Sequence, residues 1–275
     1  MTVQSPAIAI QAGVPVLLWG PPGAGKTASI VALAGGLGLP IEVVLASIRE
    51  PADFAGLPII VDGGEVRLSP PAWARRLVAA GRGILFLDEI TTAPPAVQAA
   101  LLRVVLDRTV GDLTLPAAVA VVAAANPPEM AAGGWELSPP LANRFCHFTW
   151  QINAAEWADG MIAGWPAPAV CRLPGGWEDD IPAARAIVAA FVRARPQLLL
   201  CVPREESAAG RAWPSPRSWD AAARLLAAAQ AAGADDAMVT TLVAGCVGEG
   251  AALEFLSWRR ELDLPDPEAL LADPA

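Results

Sequence analysis

The chain has 275 residues and a mass of 28.4 kDa, enough for one good core and a smaller second one. Its 54% hydrophobic content and mean hydropathy of +0.43 come largely from alanine, and its longest unbroken apolar run, residues 117–125, is far too short to cross a bilayer. A formal charge of −9 argues against holding nucleic acid by neutralising phosphates, and four cysteines with no Cys-x-x-Cys pair, beside one histidine, indicate neither a disulfide framework nor a zinc site.

The N-terminal stretch MTVQSPAIAIQAG has no positive charge ahead of its mildly apolar residues, so no secretory leader is expected and the expected location is cytoplasmic. Short β-branched and leucine runs then alternate with alanine-rich stretches as far as Trp150, the pattern of a parallel sheet wound through crossover helices. Strands are predicted at residues 14–18, 41–45, 84–87, 119–124 and 146–150, each nearly all apolar, as strands covered on both faces should be. Helices are predicted at 26–34, 72–80 and 94–106. Two hairpins interrupt this plan, one pairing 59–61 with 66–68 around Asp62-Gly63-Gly64 and one near residues 109–113.

From residue 151 to 177 the composition turns to Trp, Pro and Gly, which reads as a linker or irregular insertion. Helices follow at 182–194, 215–232 and 237–258, with no strand signal. The expected plan is an α/β core at 1–150, the linker at 151–177 and a small helical domain at 178–275. Of the net charge, −7 falls in residues 226–275, either a solvated acidic face or a docking surface for a basic partner.

The only lysine, Lys26, stands in Gly20-Pro21-Pro22-Gly23-Ala24-Gly25-Lys26-Thr27, which fits the pattern G-x-x-x-x-G-K-[ST] with a strand before it and a helix after it. Glycines let backbone N–H groups turn inward around phosphates, the helix N-terminus adds partial positive charge, Thr27 offers a hydroxyl to Mg²⁺, and Lys26 supplies a compact cation. The other 18 cationic side chains are arginines, whose wide fork does not fit such a cradle. In GILFLDEI four apolar residues run into Asp88 and Glu89 at a strand end, where ligands of parallel sheets bind. Asp88 is expected in the magnesium shell and Glu89 as the group that polarises the attacking water, unless the two acids merely precede a helix. Asn126 ends the apolar run 119–125 and is expected beside the acids, positioning the water; Asn before Pro is also an ordinary turn starter. With no second lysine, the guanine-reading Asn-Lys-x-Asp element is absent, which favours adenine.

With the loop, LFLDEI, AANPPE and LANRF in this order and spacing, the chain resembles the AAA+ ATPases and, within them, the MoxR-like group. The resemblance covers the α/β half and reaches the helical half through WPSPRSW. It implies a P-loop αβα core with a five-stranded parallel sheet, an all-α lid, ATP and Mg²⁺ as cofactors, and hydrolysis at the junctions of a ring, usually hexameric. It also implies chaperone-like remodelling of a protein, often with a partner bearing a von Willebrand factor A domain. On this resemblance Arg144 would be an arginine finger offered to the neighbouring subunit, or else a plain surface arginine. Arg217 would be a second sensor of the γ-phosphate, or else a solvated or Asp220-paired arginine. A cation at the second position of a helix, after Ser215 and Pro216, is unfavourable unless an anion is near.

The loop EPADFAGLP and its hairpin sit where similar proteins face the ring's pore; Phe54 would touch a client there or pack under the hairpin. The Trp-rich insertion departs from the usual compact link and suggests a partner-specific surface. His147 reads as structural, and the scattered tryptophans as packing. The leading expectation is a ring-forming remodelling ATPase. The alternatives are an ATP-dependent switch or scaffold of negligible turnover and a DNA-acting motor, the latter disfavoured by the acidic balance.

Overall fold

The computed structural model describes residues 3–127, 130 and 134–262; Pro128 and Glu129 of AANPPE and the acidic residues beyond 262 lie outside the described residues. In chain order the first part holds α1 (Gln4–Gln11), β1 (Val16–Trp19), α2 (Lys26–Leu37), β2 (Ile41–Leu45), α3 (Ala52–Ala55), β3 (Leu57–Ile60), β4 (Val66–Ser69), α4 (Ala72–Ala80), β5 (Gly83–Asp88), α5 (Pro95–Asp107), β6 (Thr109–Val110), β7 (Leu113–Thr114), β8 (Val119–Ala125), α6 (Pro139–Ala142) and β9 (Cys146–Thr149). Then come α7 (Ala154–Ala163), α8 (Ile181–Ala194), α9 (Glu206–Ala209), α10 (Pro216–Ala231), α11 (Asp236–Val247) and α12 (Glu249–Leu262). No described helix is long and apolar enough to cross a membrane.

All five predicted strands join one parallel sheet, in the order β2-β5-β8-β1-β9. Strand periodicity splits their side chains between two apolar layers. Val16, Leu18, Ile84, Phe86, Val122, Cys146 and Phe148 face α1, α2 and the C-terminal helices, while Leu17, Trp19, Leu85, Leu87, Val121 and Ala123 face α4 and α5. Both faces of the central strands β5, β8 and β1 are covered, so these show no polar alternation in sequence, whereas the edge strands β2 and β9 are partly exposed and carry Glu42, His147 and Thr149. The C-terminal helices share the first layer: α11 packs on the edge strand β9, and α10 on α1.

Three features differ from the sequence reading. Residues 4–11 form a helix whose consecutive residues from Ser5 to Ile10 are all buried, so no amphipathic period marks it. The helix predicted over 237–258 is two, α11 and α12, broken at Gly248, which has φ of 80° and no room for a Cβ: one would lie 2.9 Å from the Ala212 carbonyl. The Trp/Pro/Gly stretch contains α7, capped by the Asn153 side chain, which accepts from the N–H groups of Ala155 and Glu156.

After α7 the chain runs as a strap along α1. Gln11 donates to the Cys171 carbonyl at 2.8 Å and accepts from the Leu173 N–H at 3.1 Å, while Gln4 accepts from the Cys171 N–H at 2.9 Å. Val170 presses on Gly36 of α2, where a Cβ would meet it at 2.8 Å, and Arg172 donates to the Gly36 carbonyl at 2.9 Å.

His147 is structural in the geometry found. The Trp19 indole donates to Nδ1 at 2.9 Å, which leaves the proton on Nε2, facing the Ala142 carbonyl at 2.9 Å. Burial, with Arg211 adding to it, lowers its pKa to about 4. The unfolded chain, with the ordinary value near 6.5, therefore takes up a proton that the fold refuses. The resulting stability is complete above that ordinary value and lost as pH falls towards 4. Between pH 7.5 and 5, denaturant titrations are expected to show about 2 kcal/mol more loss for the wild type than for His147→Gln. Identical pH slopes would refute the assignment.

Candidate phosphate-binding site

The sheet order places the ends of β1 and β5 on either side of β8, so the three sequence elements singled out above converge. The register pairs Trp19 with Ala125 and Leu87 with Ala123, and the Gly20 N–H donates to the Ala125 carbonyl at 3.1 Å. Asn126, one residue further, is buried between the loop after β1 and the acids after β5.

The loop geometry follows from its residue types. Gly23 and Gly25 adopt φ of 76° and 78°, with open space where a Cβ would stand, so the requirement there is torsional. Gly20 is required for a different reason: a Cβ would lie 3.0 Å from both the Trp150 Cβ and its carbonyl oxygen. The Trp150 indole donates to the Ala24 carbonyl at 2.9 Å and holds the loop from below. Pro22 is exposed, and the Ala24 N–H closes a turn onto the Pro21 carbonyl. The N–H groups of Gly23, Gly25, Lys26 and Thr27 bond to no described residue. A row of free donors at the start of the twelve-residue α2 is the chemistry a polyphosphate requires, so the residues present fit that group.

Lys26 is buried, and its Nζ donates to the Gly20 carbonyl (2.6 Å), the Pro21 carbonyl (2.9 Å) and Asn126 Oδ1 (2.9 Å). Desolvation lowers its pKa, opposed by the charges of Asp88 and Glu89. Thr27 Oγ1 donates to Asp88 Oδ2 at 2.6 Å, joining the two residues expected to hold Mg²⁺. Their hydroxyl and carboxylate oxygens are hard donors of the type Mg²⁺ takes, so the pair fits that ion as well.

Glu89 has φ of 57°, a left-handed conformation that is costly for a residue with a side chain and that clusters at functional sites. Its N–H donates to Asp88 Oδ1 at 3.0 Å, and the Ile90 N–H donates to the Ala124 carbonyl at 2.9 Å, fixing the turn. Thr91 is locked to the backbone of Asn126 through two bonds, at 3.1 and 3.2 Å. Lys26, Thr27, Asp88, Glu89 and Asn126 thus form one cluster.

Sequence reasoning missed Ser47, whose hydroxyl donates to Glu89 Oε2 at 2.7 Å. It follows β2, the strand beside β5, and only the sheet order brings it near.

Arg144 and Arg217 are not in this cluster, and neither bonds to any member of it. They lie near each other instead. Arg144 follows α6, and burial lowers its pKa, with the Arg217 charge adding to that and Asp107 opposing it. Its guanidinium donates to the Pro140 carbonyl, but its buried Nε has no partner among the described residues. Arg217 is exposed at the second position of α10, which opens with Ser215 as N-cap in a capping box with Ser218. Asp220 pairs with Arg185 rather than with Arg217. Phe54 is 1% exposed and packs on Trp73, whereas Ile60 at the hairpin tip is 80% exposed.

Residues 15–145 match the family model described as AAA domain (dynein-related subfamily). No curated protein matches the chain. Among solved structures 468 chains match. One is the crystal structure of a "putative ATPase" from Cytophaga hutchinsonii, 19% identical, with a TM-score of 0.53 over 94% of this chain and 85% of that one. At that identity the likeness concerns the fold.

Proposed function

We propose, for a chain whose α/β core is an AAA+ domain, that it binds ATP with Mg²⁺, hydrolyses it at subunit junctions of a ring, and couples turnover to remodelling a protein partner. The observation that carries the reading is the cluster of Lys26, Thr27, Asp88, Glu89 and Asn126 beneath a row of free backbone donors. The free N–H groups and Lys26 would take the phosphates, with Lys26 exchanging carbonyl partners for phosphate oxygens. Thr27 and Asp88 would hold Mg²⁺, which neutralises charge on the phosphates when bound. Glu89 would accept the proton of the attacking water, and Asn126 would orient that water.

The ring reading is supported by Arg144 and Arg217, two neighbouring cations that repel each other, with Asp107 offsetting the Arg144 charge only in part and no ion pair to either among the described residues. A phosphate offered by a neighbouring copy would relieve their repulsion, and the orphaned Arg144 Nε awaits an acceptor. Exposed apolar side chains on the hairpin (Leu57, Ile60, Val66) and around α7 (Trp157, Ile162, Trp165) support contact with a protein client or adaptor. A partner with a von Willebrand factor A domain, membership of the MoxR-like group and a cytoplasmic location belong to the same proposal.

Calorimetry with ATP and Mg²⁺ tests the nucleotide reading. Lys26→Ala is expected to lose about 3 kcal/mol of binding, roughly 10²-fold in Kd, as charge-assisted contacts to phosphate vanish. Equal affinity for the wild type and the variant, or no uptake by either, would overturn it.

One observation favours a second reading, a slow switch: Ser47 occupies a carboxylate oxygen of Glu89. An oxygen so engaged is less available to take a proton. Ser47→Ala is therefore expected to raise basal turnover by about tenfold with ATP affinity unchanged, the lower end of what a hydrogen bond to a charged group contributes, roughly 1.5–3 kcal/mol. Slower turnover in this variant would mean that Ser47 aims the carboxylate instead of restraining it.

A further inference from the structure

The two arginines come from segments more than seventy residues apart, Arg144 from the end of the α/β core and Arg217 from the start of a C-terminal helix. One buried connection sits between those segments. Asn143, the residue before Arg144, is 5% exposed and donates from Nδ2 to the Trp213 carbonyl at 2.9 Å. Its Oδ1 accepts from the Ser215 hydroxyl at 2.6 Å. Ser215 in turn caps α10, accepting from the Ser218 N–H at 3.1 Å, two residues from Arg217. Asn143 therefore bonds to both sides of the turn that launches α10, and every polar atom of its amide group is used on that turn.

A buried amide gains little net stability from such bonds, since water would serve them as well in the unfolded chain. What it supplies is geometry. The short α6 ends at Asn143, so the point at which Arg144 leaves the core and the first turn of α10 are tied to each other by one side chain. No surface ion pair among the described residues does this: Arg185–Asp220 and Arg195–Glu254 tie the C-terminal helices to each other.

We propose that Asn143 is a positioning residue, the joint through which Ser215 and Trp213 hold Arg144 and Arg217 as a single two-arginine clamp for a phosphate presented by a neighbouring subunit. The inference rests on the reading that these arginines act on the neighbour's nucleotide. Neither Asn143 nor Ser215 touches that nucleotide. Their effect reaches the transition state only through the spacing of the two guanidinium groups.

Asn143→Ala is expected to bind ATP as the wild type does and to lose roughly 10²-fold in kcat, the loss that follows a misplacement of about 1 Å. Ser215→Gly is the companion variant. Glycine is tolerated at an N-cap with little loss, so the helix is kept while the bond to Asn143 goes, and kcat should fall in the same way. Two readouts separate positioning from general damage. Added to an Arg144→Ala, Arg217→Ala background, Asn143→Ala should reduce kcat no further. In mixed assemblies, Lys26→Ala subunits, which carry an intact clamp and an impaired ATP site, should restore turnover at least tenfold to Asn143→Ala subunits, as they should to Arg144→Ala subunits. Recovery for Arg144→Ala without recovery for Asn143→Ala would overturn the role of Asn143 alone. No recovery for either would overturn action on a neighbour, and this inference with it. A further fall of kcat in the arginine-free background would reduce Asn143 to a structural residue.

Discussion

Arg144→Ala subunits are expected to take up ATP with wild-type affinity and to hydrolyse it about 10³-fold more slowly, the lower end of what an arginine supplied to a phosphoryl-transfer site contributes. In its own subunit Arg144 bonds to none of Lys26, Thr27, Asp88, Glu89 and Asn126, so removing it should leave nucleotide uptake intact. Its surroundings are costly for a cation. Burial and the nearby Arg217 both act against its charge, Asp107 compensates only in part, and the Nε has no partner among the described residues. Such an arrangement is retained at a cost unless an anion arrives from outside. Turnover should therefore rise steeply with protein concentration in the wild type and stay flat in the variant. A variant that hydrolyses ATP within a few-fold of the wild type, or that loses ATP affinity as a dilute monomer, would remove Arg144 from this role.

Glu89→Gln is the second large effect. General bases contribute roughly 10²–10⁴-fold, so turnover should fall by about that factor while ATP is retained. The substitution is mild for the fold. The glutamine carbonyl can still accept from Ser47, and the backbone at φ of 57° is asked of a residue no more branched than the original. The loss should thus appear in single-turnover chemistry and not in thermal stability. This form, holding ATP without consuming it, is the one to use for capturing a protein partner. Turnover within threefold of the wild type would show that another group takes the proton.

Much of the site was legible because its chemistry lies in contiguous residues. The run from Gly20 to Thr27 needs its glycines for torsion and close approach, and its lysine for a compact charge. The pair Asp88–Glu89 follows a strand whose apolar residues announce two covered faces. Asn126 could be placed because β8 is apolar throughout and the polar residue marks where it ends. The partners of these residues were not legible. Ser47 reaches Glu89 across 42 residues and Ser215 reaches Asn143 across 72, and such pairings exist only once the strand order and the seating of α10 are known. The helix at residues 4–11 was hidden for the opposite reason: it is buried all round, so the periodicity that marks a surface helix is missing. The strap after α7 has no regular structure of its own, and glutamine side chains stand in for a partner strand.

Trp150 ties the start of the linker to the mouth of the site. It is the last residue before the linker; its N–H donates to the Trp19 carbonyl at 2.6 Å and its indole grips the loop at Ala24. A partner seated on α7 would thus be connected, through one aromatic ring, to the backbone proposed to cradle the triphosphate. A docking face on α7 and the proposed grip on nucleotide would then be joined by a tether of three residues, Gln151 to Asn153.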